Sequence, residues 1–150
     1  LVFFSGLADG AVGGRALQVA AGKMSLPFGQ AFVRGILCNW LVVLAVWMGM
    51  AATEIVDKIW AIFFPIMTFV AAGFEHSIAN MYFMALGIFL KATPAAVESS
   101  GLAEQALANV SVGGYLSNLI PVTLGNMVGG ILFVAVFYYF IFKDGLTDLD

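Results

Sequence analysis

Charged side chains punctuate an otherwise apolar chain, and the intervals between them predict its elements. Residues 35–53 carry no charge. As a helix they run about 28 Å, close to the roughly 30 Å hydrocarbon core of a bilayer. Residues 119–142 form a longer charge-free run, enough to cross with tilt. Both runs predict transmembrane helices. Residues 59–90 read differently. The run is too long for one simple span, and its middle carries Glu75, His76, Ser77 and Asn80. Gly73 precedes this polar cluster, Pro65 lies earlier, and the flanking apolar halves, 59–74 and 78–90, are each short for a span. The pattern predicts one discontinuous helix, with non-helical backbone near 69–77. Such breaks persist at membrane depth only where protein or a water-filled cavity satisfies the freed backbone groups, and in transporters they commonly mark the binding site.

The remaining segments, 9–34, 54–58 and 91–118, read as connections. The last contains Pro94, Ser99, Ser100, Gly101 and the pair Gly113 and Gly114, so it predicts a re-entrant loop with a short helix over 102–109. The tail, 143–150, is polar and predicted to fray. At the other end, residues 1–8 are apolar and start on Leu1 instead of methionine. They read as part of a further membrane span, because neither the basic segment nor the cleavage site of a signal peptide is evident.

Composition supports the membrane reading. Hydrophobic residues make up 62% of the chain and charged residues 10%, with a mean hydropathy of +1.01. A soluble domain carries about 25% charged residues, so much of this chain's outer surface is expected to face lipid. A net charge of −3, with no basic stripe, excludes a nucleic-acid partner. Cys38 is the sole cysteine and His76 the sole histidine, which leaves no internal disulfide, no metal cluster and no expected cofactor.

Candidate chemistry sits in the apolar runs. Asn39 is a lone amide in its span, where an asparagine often just bridges neighbouring helices at about 1 kcal/mol. Glu75 and His76 are more pointed. Ionisable residues inside a membrane cost several kcal/mol and usually face a cavity, and an imidazole gives or takes a proton near neutral pH. The bland alternative has the two satisfying each other. That is awkward if they are adjacent on a helix, because only residues three and four apart share a face. Phe69 lies seven residues before His76 and reads as core or gate. Gly125, Asn126, Gly129 and Gly130, with Pro121, predict close helix packing through a small-xxx-small pair. Lys23 by itself reads as a solvated loop lysine. An intramembrane enzyme using His76 as a base, with Asn39 or Ser77 nearby, lacks an activated nucleophile pair. A purely structural subunit leaves the mid-membrane cluster without a task.

Three stretches carry a resemblance: GILCNWLVVLAVW over 35–47, FVAAGFEHSIANM over 69–81 and NLIPVTLGN over 118–126. In this order they resemble the formate–nitrite transporter family across essentially the whole chain, and formate channels and transporters most of all. One departure is Val43, where members commonly carry cysteine; it reads as a small buried swap. The resemblance implies an all-α, multi-pass membrane protein with an aquaporin-like channel fold, built as two inverted three-helix repeats and assembled as a homopentamer with one pore per protomer. Residues 1–150 would form the C-terminal part of that single channel domain: the end of span three and spans four to six, including the broken helix of the second repeat.

Residue by residue, the resemblance makes His76 the central pore histidine and Asn39 its companion. Phe69 becomes an aromatic of the periplasmic constriction, Lys23 a lysine at the periplasmic entrance, and Glu75 its acidic neighbour. The implied activity is passage of small monovalent weak-acid anions, formate first, with nitrite or hydrosulfide as alternatives. Protons and membrane lipid are the other implied partners, and the implied location is the cytoplasmic (inner) membrane. The implied orientation puts Arg15, Lys23, Arg34 and Lys91 outside and Lys58 and Lys143 inside. Loop charges alone would choose the reverse, so the resemblance sets the expected topology.

Overall fold

The computed structural model describes residues 3–8 and 10–146. After a short turn at Phe3–Ser5, the helices are α1 (Ala11–Met24), α2 (Phe28–Ala51), α3 (Ile55–Ala71), α4 (Ser77–Leu90), α5 (Pro94–Ser100), α6 (Glu104–Asn109) and α7 (Val112–Gly130). A π-helical stretch, Ile131–Val136, continues α7 into α8 (Phe137–Leu146). Among the described residues, two helices are long and apolar enough to cross a membrane. These are Phe28–Ala51, with mean hydropathy 1.8, and the continuous run Val112–Lys143, with mean hydropathy 2.0. The second contains the whole predicted run 119–142, and the first covers 35–51 of the predicted run 35–53.

Several connections prove helical. The segment 9–34 contains all of α1 and the start of α2, because a charge marks where lipid contact ends and not where a helix ends. In α1, Leu17, Ala20, Ala21 and Met24 fall on one buried face, while Arg15 is exposed. The segment 54–58 is mostly the first turn of α3, where Asp57 complements the positive end of the helix. The segment 91–118 holds α5, α6 and the start of α7, and the short helix expected over 102–109 is α6. The predicted frayed tail is helical as far as Leu146; 147–150, like residues 1, 2 and 9, lie outside the described residues.

The chain divides into two compact units, Leu1–Ala31 with Ser77–Pro121, and Phe32–His76 with Val122–Asp150. The first unit packs α1 against α4, α5 and α6, around a core of Leu17, Ala21, Met24, Met84 and Val110. Gly87 faces Ala20 so closely that an added β-carbon would overlap the Ala20 methyl. Helices α4 and α5 meet at 112°. Residue 93 precedes Pro94 and is extended, as the proline ring demands of the residue before it, so α4 cannot run on into α5.

The second unit sets α2 against the C-terminal part of α7. A β-carbon on Gly125 would strike the Phe32 carbonyl oxygen, and one on Gly129 the Ile36 carbonyl oxygen. The expected glycine packing is therefore present, with backbone against backbone. Trp40 stacks on Phe133 at 5.0 Å, and Trp47 meets Tyr138 at 4.8 Å. No residue of α3 is buried among the described residues; Ile59, Trp60, Phe63 and Val70 all stand exposed. A helix apolar on every side belongs in lipid or against other protein.

Candidate functional site

The break after α3 has a local cause. Gly73 adopts φ +67°, a left-handed conformation that a residue with a β-carbon seldom takes. Around it the Gly73 amide donates to the Val70 carbonyl at 3.2 Å, and the Phe74 amide to the Phe69 carbonyl at 3.0 Å. This paired pattern is a Schellman termination. Helix therefore persists through Ala71, and the non-helical stretch is 72–76. That is narrower than the expected 69–77, because the Phe69 carbonyl is itself an acceptor of the motif. Glu75 and His76 consequently lie on non-helical backbone, so the helical-spacing argument against their pairing does not apply.

Turning the chain back brings His76 over Phe69. Their rings lie 5.9 Å apart, stacked at 25°, and both residues are half-buried. The segment between them is tied to α2 and α7. The Glu75 amide donates to the Arg34 carbonyl at 3.3 Å, and the Glu75 carbonyl accepts from Asn126 Nδ2 at 2.9 Å. The same Nδ2 donates to the Gly35 carbonyl at 2.9 Å. Asn39 Nδ2 donates in turn to the Asn126 carbonyl at 2.7 Å. Glu75 is 3% exposed and Asn126 6%. Asn39 thus bridges two helices, the plainer of its two readings, and does so beside the break.

Glycines permit this crowding. A β-carbon on Gly35 would lie 2.8 Å from the Val122 carbonyl oxygen, and one on Gly130 would lie 2.7 Å from Asn39 Nδ2. Val43 touches the same spot, with Cγ2 at 3.1 Å from that notional β-carbon on Gly130. It is half-buried, not the fully buried swap expected. An apolar groove of about 790 Å³ runs along Ile59, Ile62, Ile66 and Val70. It contains none of the site residues, and Lys58 is the one charged residue in its lining.

Lys23 belongs to the first unit. It sits in the last turn of α1, half-buried, and not on a loop. A cation there is favoured by the negative end of the helix. The Lys23 carbonyl accepts from Asn118 Nδ2 at 2.8 Å, and Asn118 Oδ1 accepts from Asn80 Nδ2 at 2.9 Å. Both asparagines are fully buried. The sequence alone did not single out Asn118 and Asn126 as site residues. They are the two asparagines of the apolar helix α7 and each therefore needs a partner, a signal that Asn39 also gave.

Four of the sequence-named residues, Asn39, Phe69, Glu75 and His76, thus fall in the second unit, and Lys23 anchors a helix end in the first. Comparison with known proteins bears on what such an arrangement is for. Residues 1–140 match the family described as formate/nitrite transporter. A probable formate transporter of Methanothermobacter thermautotrophicus is 48% identical over 129 residues, covering 85% of this chain and 41% of that protein. The formate channel FocA of Escherichia coli K12 is 40% identical over 138 residues, covering 90% and 48%. The chain thus spans about half the length of the relatives it matches. A solved pentameric formate channel with formate bound superposes with a TM-score of 0.78 at 38% identity, covering 88% of this chain and 53% of that one. These are membrane channels and transporters, not enzymes. On motif order, helical membrane fold and the span of the match together, the chain belongs to the formate/nitrite transporter family.

Proposed function

We propose that this chain is the C-terminal part of one transmembrane channel domain, the end of span three and spans four to six. The complete protein would be a homopentamer in the cytoplasmic membrane, with lipid around it and one pore per protomer. Its cargo is a small monovalent weak-acid anion, formate first. The observation that carries this reading is the stack of His76 on Phe69 at a pinned break.

Lys23 raises the local concentration of anions at the entrance. The Phe69 ring then opposes a bare charge, because desolvation without a partner is costly. His76 answers that cost. As imidazolium it donates a hydrogen bond to the carboxylate oxygen, or gives up its proton to leave neutral imidazole and formic acid. A proton from the aqueous side then restores it. Asn39 and Glu75 shape the surroundings of that imidazole.

Liposomes containing the full-length protein are expected to take up labelled formate well above empty vesicles, and the 150-residue chain alone is expected to give none. Nitrite and hydrosulfide, tested side by side, rank the cargo. No formate uptake by assembled full-length protein would remove the proposed activity. Strong uptake by the chain alone would remove the half-domain reading.

A further inference from the structure

We infer that Asn126 is a positioning residue for His76, an inference that rests on the proposed channel reading and deepens it. Asn126 Nδ2 has two hydrogens, and each meets a carbonyl from a different segment: Gly35 on α2 and Glu75 on the break, both at 2.9 Å. Its own carbonyl takes the Asn39 amide at 2.7 Å. No other uncharged side chain of this size supplies two donors from one atom. Serine offers one hydrogen, protonated aspartate one, ionised aspartate none. A glutamine is longer by a methylene in a place where Gly35 and Gly125 already admit no added β-carbon.

The bond to the Glu75 carbonyl bears directly on the next residue. A peptide group is planar, so fixing the Glu75 C=O also fixes the N–H and Cα of His76. A second backbone anchor on Glu75, its amide to Arg34 at 3.3 Å, is beyond the usual N–H···O range and acts on the preceding peptide plane. Asn126 therefore sets the direction from which the imidazole leaves the backbone, and with it the stack on Phe69. In this reading it acts through His76.

A double-mutant cycle in the full-length protein tests this, with formate uptake measured per assembled pentamer. Asn126→Asp keeps the shape but loses at least one donor, and is expected to lower uptake between about tenfold and a hundredfold, as misplaced reacting groups do. In a His76→Ala background, which leaves no side-chain donor at that position, the same change is expected to alter uptake by less than about twofold, because there is nothing left to aim. Equal losses in both backgrounds, or no loss in either, would overturn the inference. Should Asn126→Asp fail to assemble, Asn126→Ser, with its single donor, carries the same cycle. A structure of the variant separates this question from transport itself. A Phe69–His76 separation still at 5.9 Å with the same stacking overturns the positioning role whatever the cargo. An opened stack supports it even if formate is not carried.

Discussion

His76→Phe in the full-length protein is expected to abolish formate passage, whereas His76→Asn is expected to keep passage and lose its pH dependence. The two replacements separate what the imidazole supplies. Phenylalanine puts a second apolar ring against Phe69 and offers no donor. An anion there keeps its desolvation cost unmatched, and a shortfall of only about 3 kcal/mol is roughly a hundredfold in rate. Asparagine is of comparable size and still donates a hydrogen bond, but it has no proton to exchange in the physiological range. Uptake through it should therefore follow the anion concentration alone. Paired current and uptake recordings at about pH 5 and about pH 7.5, on wild type and both variants, read both effects. Identical pH profiles for wild type and His76→Asn would remove the proton from the mechanism, and undiminished uptake through His76→Phe would remove the histidine from the pore.

Parts of this arrangement were legible in the sequence because single-residue physics decides them. The spans at 35–53 and 119–142 follow from the absence of charge, and the break follows from Gly73 beside a polar cluster. Boundaries were not legible on that basis. Arg34 ends the charge-free run, yet it lies well inside α2, which starts at Phe28. Helix α1 was hidden for a related reason: Arg15 and Lys23 interrupt a stretch whose apolar face is turned to its neighbours α4 and α5. The extent of the break depended on carbonyl partners, since the Schellman bonds keep 69–71 helical.

Long-range pairing was out of reach. The two acceptors of the Asn126 amide, Gly35 and Glu75, lie 91 and 51 residues away in sequence. From one sequence, Asn126 was visible only as part of a packing stripe and of a family motif, with no role of its own. The family resemblance supplied Lys23, Phe69 and His76 as a set. It did not supply the amide contacts around them, which belong to geometry. Asn39 shows the difference. Its bland reading as a helix bridge and its assigned place beside the histidine are compatible, because the bridge it makes is to the residue that holds the break.

That dependence of the site on backbone contact makes the glycines of α7 a sharp test. Gly129→Val is expected to prevent assembly of the full-length protein, and Gly129→Ala to destabilise it by on the order of 1–3 kcal/mol, the usual cost of overpacking. The atoms that an added β-carbon meets are the carbonyl oxygen of Ile36, its carbonyl carbon at 3.0 Å and its Cα at 3.1 Å. These are helix backbone and cannot swing aside as a flexible side chain would. Relief requires α2 and α7 to separate, and separation stretches the 2.7 Å bond from Asn39 to the Asn126 carbonyl one turn away. Gly29 offers the contrast. It lies in the first turn of α2 with nothing within 4 Å of its notional β-carbon, so Gly29→Ala should assemble as wild type does. Thermal unfolding of the purified proteins, read beside formate uptake, compares the three. A Gly129→Ala protein as stable as Gly29→Ala would mean that α2 and α7 do not meet at Ile36. The tie from Asn39 through Asn126 to the break would then lose the close contact on which it depends.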